Sequence, residues 1–139
     1  MRGDIILSEA AMAMRSFGFV LPLMLLLALA GAQNTNILWH YCNDLKFQVS
    51  DPFFSTAETL FTELEDNTGD NGGFYETSIP GSPTAYGQAT CNSALAPDEC
   101  QNCLYHLVWL DMIAICGLAI GAQCALVDCY MRYEQYQFY

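Results

Sequence analysis

The residues with the most defined chemistry in this sequence are its seven cysteines. Three of them form a Cys-x8-Cys-x2-Cys array at 91–103. A Cys-x2-Cys pair can bind zinc or exchange disulfides, but a second such pair is absent, and His40 and His106 lack the spacing of metal ligands. We therefore predict structural disulfides, with no metal and no cofactor. The remaining four cysteines flank the array, at Cys42, Cys116, Cys124 and Cys129.

Acidic residues provide the other candidate chemistry, because paired carboxylates catalyse glycoside hydrolysis. Glu63, Glu65 and Asp66 lie close together in the sequence, near the end of a helix that we predict to present them to solvent. No pocket is implied there, and no set of nucleophile, base and orienting group can be assembled from the chain. We do not expect this protein to be an enzyme.

Residues 1–32 have the pattern of a secretory signal peptide. An apolar run at 17–30 follows a basic residue and ends in Ala30-Gly31-Ala32, the small-x-small pattern of signal-peptidase sites. The run is shorter than the roughly 20 residues that a membrane span needs, and we favour a signal over a buried core helix. Cleavage there would release a single domain, 33–139, into an oxidising extracellular compartment.

The charge of this domain is strongly acidic. Residues 1–32 contain two basic and two acidic side chains, so the formal net charge of −11 belongs wholly to residues 33–139. Such a surface repels nucleic acid and anionic lipids, and no later segment is long and apolar enough to cross a bilayer. We expect neither nucleic-acid binding nor a membrane span.

The elements that must position the cysteines follow from hydrophobic periodicity and from turn residues. Asp51 and Pro52 resemble a helix cap followed by a first-turn proline. The predicted order is strand 37–42, helix 52–66, strands 74–78 and 85–91, helix 97–116, and two strands between 119 and 136. This order predicts an α+β domain in which two helices pack on one face of a five-stranded antiparallel sheet.

The second helix carries two cysteines of the array on its inward face. Residues three apart on a helix have Cβ atoms about 5–6 Å apart, and a disulfide needs roughly 3.5–4.5 Å, so Cys100 and Cys103 are expected to bond to different partners. The same face is predicted to include Leu104, Leu107 and Leu110.

Strand alternation separates a core face from a polar face in the last two strands. We expect Gln123 to point away from the core, and Arg132 and Glu134 to share the polar face. The predicted core face contains Ile120, Ala122, Cys124 and Leu126 of one strand and Cys129, Met131 and Tyr133 of the other.

Three stretches of the chain carry a family resemblance. They are 82–91, the cysteine array, and the segment from Gly121-Ala122-Gln123 to Tyr133-Glu134-Gln135. Together they resemble the plant stress-antifungal cysteine-rich domain family, the ginkbilobin-homologous domains, over nearly the whole of 33–139. The resemblance implies an α+β fold with two helices and five strands, in agreement with the periodicity.

The resemblance also implies a disulfide pattern, which sequence alone does not determine. The implied pairs are Cys42–Cys116, Cys91–Cys100 and Cys103–Cys129. Cys124 is then the odd cysteine, and its position among aliphatic residues favours a buried free thiol over an intermolecular bridge.

A carbohydrate site is the functional implication of the resemblance. Mannose-binding members of the family contact the sugar through an asparagine, an arginine and a glutamate, and the matching positions here are Asn43, Gln123 and Glu134. Gln123 replaces a charged donor by a neutral amide. Arg132, on the same predicted face as Glu134, either pairs with that carboxylate or supplies the missing cation. The alternative roles are a turn residue for Asn43, a solvated strand end for Glu134 and a weak surface ion pair for Arg132.

We therefore expect a plant defence protein that is secreted into the apoplast, binds mannose or mannan-type glycans and inhibits fungal growth. The alternative is an extracellular interaction module that acts through a protein partner, with a decayed sugar site. Its contact patch would be aromatic, built from Tyr130, Tyr133, Tyr136, Phe138 and Tyr139.

Overall fold

The structure, a computed structural model, describes residues 33–139, and the predicted signal peptide lies outside the described residues. Five strands form one antiparallel sheet in the order β1-β4-β5-β3-β2. The strands are β1 (Ile37–Cys42), β2 (Phe74–Ile79), β3 (Ala85–Cys91), β4 (Ala122–Leu126) and β5 (Cys129–Glu134). Two helical runs pack on one face of this sheet, which confirms the predicted α+β class. Within 33–139, no helix combines the length and apolarity needed to cross a membrane.

The first helix, α1 (Pro52–Thr68), begins at its proline and buries one apolar stripe. Asp51 occupies the N-cap position as predicted, but its carboxylate makes no cap bond to the helix. It accepts a hydrogen bond from the backbone N–H of Gln48 at 2.7 Å instead, which closes the preceding turn. The buried stripe is formed by Phe53, Ala57, Leu60, Phe61 and Leu64.

The second helical run is irregular in its middle. It consists of α2 (Pro97–Tyr105), a π-helical segment (His106–Met112) and α3 (Ile113–Cys116). A π-helix bonds residues five apart, so the apolar stripe changes phase inside this segment. Leu107 and Met112, five residues apart, are both buried, whereas Leu110 is 56% exposed. The predicted inward position of Leu110 is therefore wrong, because the prediction assumed an unbroken α-helical period.

Three disulfides connect the second helical run to the sheet. Cys91–Cys100 joins it to β3, Cys103–Cys129 joins it to β5, and Cys42–Cys116 joins its last turn to β1. These are the pairs that the resemblance implied. Cys124 is the one cysteine of the described residues outside a disulfide, and its side chain is fully buried.

The core lies between the helices and the inner face of the sheet, where Gly87 of β3 permits a close approach. A Cβ atom at Gly87 would lie 2.8 Å from Leu64 and 2.9 Å from Leu60 of α1. Tyr133 also belongs to the core, and its hydroxyl donates to the carbonyl oxygen of Ala119 at 2.6 Å. Tyr133 therefore cannot be part of an aromatic contact patch, whereas its predicted place on the core face is correct.

The longest disulfide loop is expected to contribute most to stability. The Cys42–Cys116 bond joins residues 74 apart, and Cys91–Cys100 joins residues 9 apart. The chain-entropy relation gives about 4 kcal/mol for the longer loop and about 3 kcal/mol for the shorter one. Denaturant unfolding of the Cys42→Ala/Cys116→Ala and Cys91→Ala/Cys100→Ala proteins should show this order. Equal decreases in the free energy of unfolding would contradict the view that loop entropy determines the contribution of each disulfide.

Candidate functional site

The outer face of the sheet, the face turned away from the helices, carries the predicted site residues. Gln123 of β4 lies directly opposite Arg132 of β5, and Arg132 lies opposite Gln88 of β3. Tyr41 of β1 lies beside Gln123 at one end of this row, and Glu76 of β2 lies beside Gln88 at the other end. The row is polar across neighbouring strands, and strand alternation had predicted this polar face for β4 and β5.

Arg132 and Glu134 form an ion pair on this face. The Nε and Nη2 atoms of Arg132 both lie 3.2 Å from Oε1 of Glu134. Nη2 also donates to the Tyr136 hydroxyl at 3.0 Å, and the guanidinium lies 4.2 Å from the centre of the Phe138 ring. Arg132 therefore pairs with Glu134, the first of the two roles considered for it, and the chain beyond β5 packs against the same guanidinium.

Glu134 is not a solvated strand end. The residue is only 6% exposed. Its carboxylate lies over Gly121, and a Cβ atom at that position would overlap Oε2 of Glu134. Glycine is thus required at 121 for this carboxylate position. Gly121 is a residue whose role sequence reasoning missed, although it opens the quoted Gly121-Ala122-Gln123 motif.

Asn43 reaches the same glycine from the other side. Its backbone N–H donates to the carbonyl oxygen of Gly121 at 2.9 Å. Its side-chain oxygen accepts a hydrogen bond from the backbone N–H of Leu45 at 2.9 Å, so Asn43 does close a turn after β1. The amide nitrogen of the side chain is not used by this turn. Asn43 and Glu134 thus both contact Gly121, although they are far apart in sequence.

Gln123 is bound to an aromatic neighbour rather than to Asn43 or Glu134. The hydroxyl of Tyr130 donates to Oε1 of Gln123 at 3.1 Å. Burial raises the pKa of Tyr130, so its hydroxyl stays protonated as a donor over the whole ordinary pH range. The structure therefore positions Gln123 beside Arg132 and fixes its amide through Tyr130.

The chemistry of this arrangement is that of hydroxyl recognition. Glu134 offers carboxylate acceptors, whereas Asn43, Gln123 and Arg132 offer planar N–H donors. Phe138 and Tyr136 add aromatic surface beside the guanidinium. Such a mixture suits a neutral polyhydroxylated ligand, whose hydroxyls both donate and accept. Among the described residues, no group of three or more histidine, cysteine, aspartate and glutamate side chains is arranged to hold a metal.

Glu65 is buried, which contradicts the prediction that it is exposed to solvent. It is 9% exposed on α1, and the indole Nε1 of Trp109 donates to its Oε1 at 2.9 Å. Burial, opposed by this hydrogen bond and reinforced by the charge of Asp66, raises the pKa of Glu65 to about 7. The sequence pattern missed the burial because the partner is on the other helical run. The hydrogen bond from Trp109 occupies this carboxylate and links the two helical runs.

Two solved structures share this fold. They are the tandem DUF26 ectodomains of the Arabidopsis thaliana cysteine-rich receptor-like proteins PDLP5 and PDLP8, with TM-scores of 0.67 and 0.69. Each is 23% identical in sequence, and the match covers 74% and 76% of this chain. The chain spans about half of each ectodomain, 51% in both cases. The likeness shows that this chain has the same fold as one half of each tandem ectodomain.

Sequence comparison identifies the family. Residues 41–136 match the family described as salt stress response/antifungal. The antifungal protein ginkbilobin-like protein 1 of Picea sitchensis is 42% identical over 135 residues, which cover 90% of this chain and 98% of that protein. The antifungal protein ginkbilobin-2 of Ginkgo biloba is 40% identical over 116 residues, covering 81% and 86%. The chain therefore belongs to the salt stress response/antifungal family, and this membership supports a plant defence protein or extracellular module.

The position of the Glu134 carboxylate should depend on the absence of a side chain at 121. Gly121→Ala is expected to lower the free energy of unfolding by about 1–3 kcal/mol, because the new methyl group must displace the carboxylate. In a protein that already carries Glu134→Ala, Gly121→Ala should lower the free energy of unfolding much less. A double-mutant cycle measured by denaturant unfolding tests this coupling. Additive effects in the cycle would contradict this contact.

Glu65 should make stability fall with rising pH. Its pKa is raised from 4.5 to about 7 in the folded protein, so the folded state keeps a proton that the unfolded state loses. The free energy of unfolding should therefore decrease between about pH 4.5 and pH 7, by roughly 2–3 kcal/mol, and level off above pH 7. Glu65→Gln should abolish this decrease while retaining an acceptor for Trp109. Glu63→Gln, at an exposed carboxylate on the same helix, is the control and should leave the slope unchanged.

Proposed function

We propose that this chain is a secreted plant defence protein that binds mannose-type glycans on its outer sheet face and thereby inhibits fungal growth. Asn43, Gln123 and Glu134 contact the sugar, and Arg132 assists them. The signal peptide at 1–32 directs the protein to the extracellular space. The observation that carries the proposal is the Arg132–Glu134 ion pair on the outer face, in which Arg132 lies directly opposite Gln123.

Arg132 supplies the charged donor that position 123 lacks. Its backbone lies directly across the strand pair from Gln123, the position where mannose-binding family members have arginine, so the two side chains are neighbours on the outer face. A guanidinium has more N–H donors than its contacts with Glu134 and Tyr136 use, and the remaining donors are available to a ligand hydroxyl. The ion pair holds both groups in one orientation before binding, which lowers the entropic cost of recognition.

The antifungal part of the proposal is supported by the relatives. The Picea and Ginkgo proteins with about 40% identity are named as antifungal proteins, and the alignments span most of their length. A single domain with this fold and three disulfides is suited to an oxidising extracellular space. A glycan of the fungal wall is a target that such a protein would meet there.

A protein partner is the second candidate, and one feature of β1 favours it. This edge strand exposes consecutive apolar residues, including Leu38 at 62% and Trp39 at 47%. The outer edge of such an apolar strand has free backbone hydrogen-bonding groups and can pair with a strand of another protein. Growth inhibition that persists in variants without measurable glycan binding would favour this partner-based function.

Titration calorimetry of the purified oxidised protein with mannose and with a mannan oligosaccharide tests the glycan proposal. Saturable binding that is lost in Asn43→Ala and weakened in Glu134→Gln would support it, and circular dichroism should show that both variants remain folded. Glu134→Gln preserves the shape of the side chain and removes its charge. Absence of binding by the folded wild-type protein would overturn the glycan proposal.

Restoring the family arginine should strengthen binding. Gln123→Arg adds a charged donor, and the difference between charged and neutral hydrogen bonds of about 1 kcal/mol predicts an affinity gain of about fivefold for mannose. The matched control is Gln88→Arg, which adds the same charge on the same face at the other neighbour of Arg132. An equal gain in both variants would show a general charge effect and would contradict a specific contact at 123.

A further inference from the structure

A concavity at one end of the outer face is not part of the proposed mannose site. It has a volume of about 330 Å³ and lies where β4 turns into β5. Thr90 and Tyr130, which pair across β3 and β5, line it together with the polar residues Asn92 and Asp128. Because Thr90 and Tyr130 alternate with core residues, their side chains lie on the same face of the sheet as Arg132 and Glu134.

The polar side of the concavity is held rigidly by hydrogen bonds. Oδ1 of Asp128 accepts from the side-chain amide of Asn92 at 3.1 Å, and Oδ2 accepts from the backbone N–H of Asn34 at 2.6 Å. The backbone N–H of Asn92 donates to the carbonyl oxygen of Asp128 at 2.8 Å. Each carboxylate oxygen has a second lone pair, so Asp128 retains acceptor capacity for a ligand hydroxyl.

Tyr130 connects the concavity with the proposed mannose site. Its ring lines the concavity, and its hydroxyl donates to Gln123 at 3.1 Å. Trp39 of β1 packs against the same ring with centroids 5.7 Å apart, and nearly half of the Trp39 side chain is exposed. Contacts of Tyr130 with Gln123 and with Trp39 therefore connect the concavity at Asp128 to the outer-face residues near Glu134.

The path from Glu134 along β5 to the concavity at Asp128 is longer than one monosaccharide unit. At about 3.4 Å per residue, Glu134 lies about 14 Å from Tyr130 along β5, and the concavity extends beyond Tyr130. With single bonds of about 1.5 Å, one pyranose unit covers about 5 Å, so roughly three linked units cover the path. The ligand that matches it is a linear oligosaccharide.

We propose that the outer face binds a linear, uncharged oligosaccharide of at least three hexose units, with the terminal unit in the concavity of Asn92 and Asp128 and an inner unit stacked on Trp39 and Tyr130. This inference rests on the proposed mannose-binding function and extends that site. An uncharged ligand follows from the net charge of −11 and from the carboxylates at both ends of the path, since polyanionic glycans would be repelled.

Chain-length dependence of binding tests the inference. Calorimetric titration of the oxidised protein with mannose and with linear mannotetraose should give an affinity about tenfold higher for the tetrasaccharide, since aromatic stacking and added hydrogen bonds contribute only with the longer ligand. Trp39→Ala and, independently, Asp128→Asn should bring the tetrasaccharide affinity to within about twofold of that for mannose. Leu38→Ala, at an exposed neighbour of Trp39 on the same strand, is the matched control and should change neither affinity.

Tryptophan fluorescence of the wild-type protein provides a readout that needs no variant. The chain has two tryptophans, and Trp109 lies against Glu65 between the helices, so a change on ligand addition reports Trp39. The tetrasaccharide should change the emission and mannose should not. Equal affinities for both sugars, with no fluorescence change, would overturn the extended path while leaving the mannose site intact. Absence of binding to either sugar would overturn both proposals.

Discussion

The structure depends on the covalent attachment of one helical run to three strands of the sheet. The run at 97–116 is bonded to β3, β5 and β1 through the three disulfides. A domain of this size buries a limited core, so these bonds replace part of the hydrophobic stabilisation that a larger domain would have. They also hold the second helical run on one face of the sheet. The other face stays open because no further element of the described chain is available to cover it, apart from the short segment after β5.

The disulfides also determine which side chains reach the open face. Cys91 and Cys129 pair directly across β3 and β5, and both turn inward to bond with the second helical run. Strand alternation then directs the even-numbered residues of β5 outward. Tyr130, Arg132 and Glu134 thus occupy the outer face for the same reason that Cys129 occupies the inner one. The glycan proposal and the disulfide framework therefore have a common geometric origin.

Features with a local period were predictable from the sequence, and features that depend on distant contacts were not. All five strands and both helical runs were identified within a few residues, since alternation and helical spacing are local signals. The exposure of Leu110 was missed because a π-helical segment leaves no clear mark in the residue pattern. The burial of Glu65 requires Trp109 from the other helical run. Likewise, the meeting of Asn43 and Glu134 at Gly121 depends on the pairing of β1 with β4, which lie far apart in sequence.

The same long-range contacts are the physical basis of the proposed site for uncharged ligands on this acidic domain. Hydrogen bonds to a sugar exchange with hydrogen bonds to water and each contributes only about 1 kcal/mol net, so a flexible site would lose this gain in ordering its own side chains. Here the ordering occurs on folding: Gly121 admits the Glu134 carboxylate, Arg132 fixes it, and Tyr130 fixes Gln123. Arg132 is the only arginine of residues 33–139, so its pairing with Glu134 also removes the strongest attraction for anions from this face. What remains is an ordered array of donors and acceptors in which the single guanidinium is already paired, and such an array favours hydroxyl groups over anionic partners.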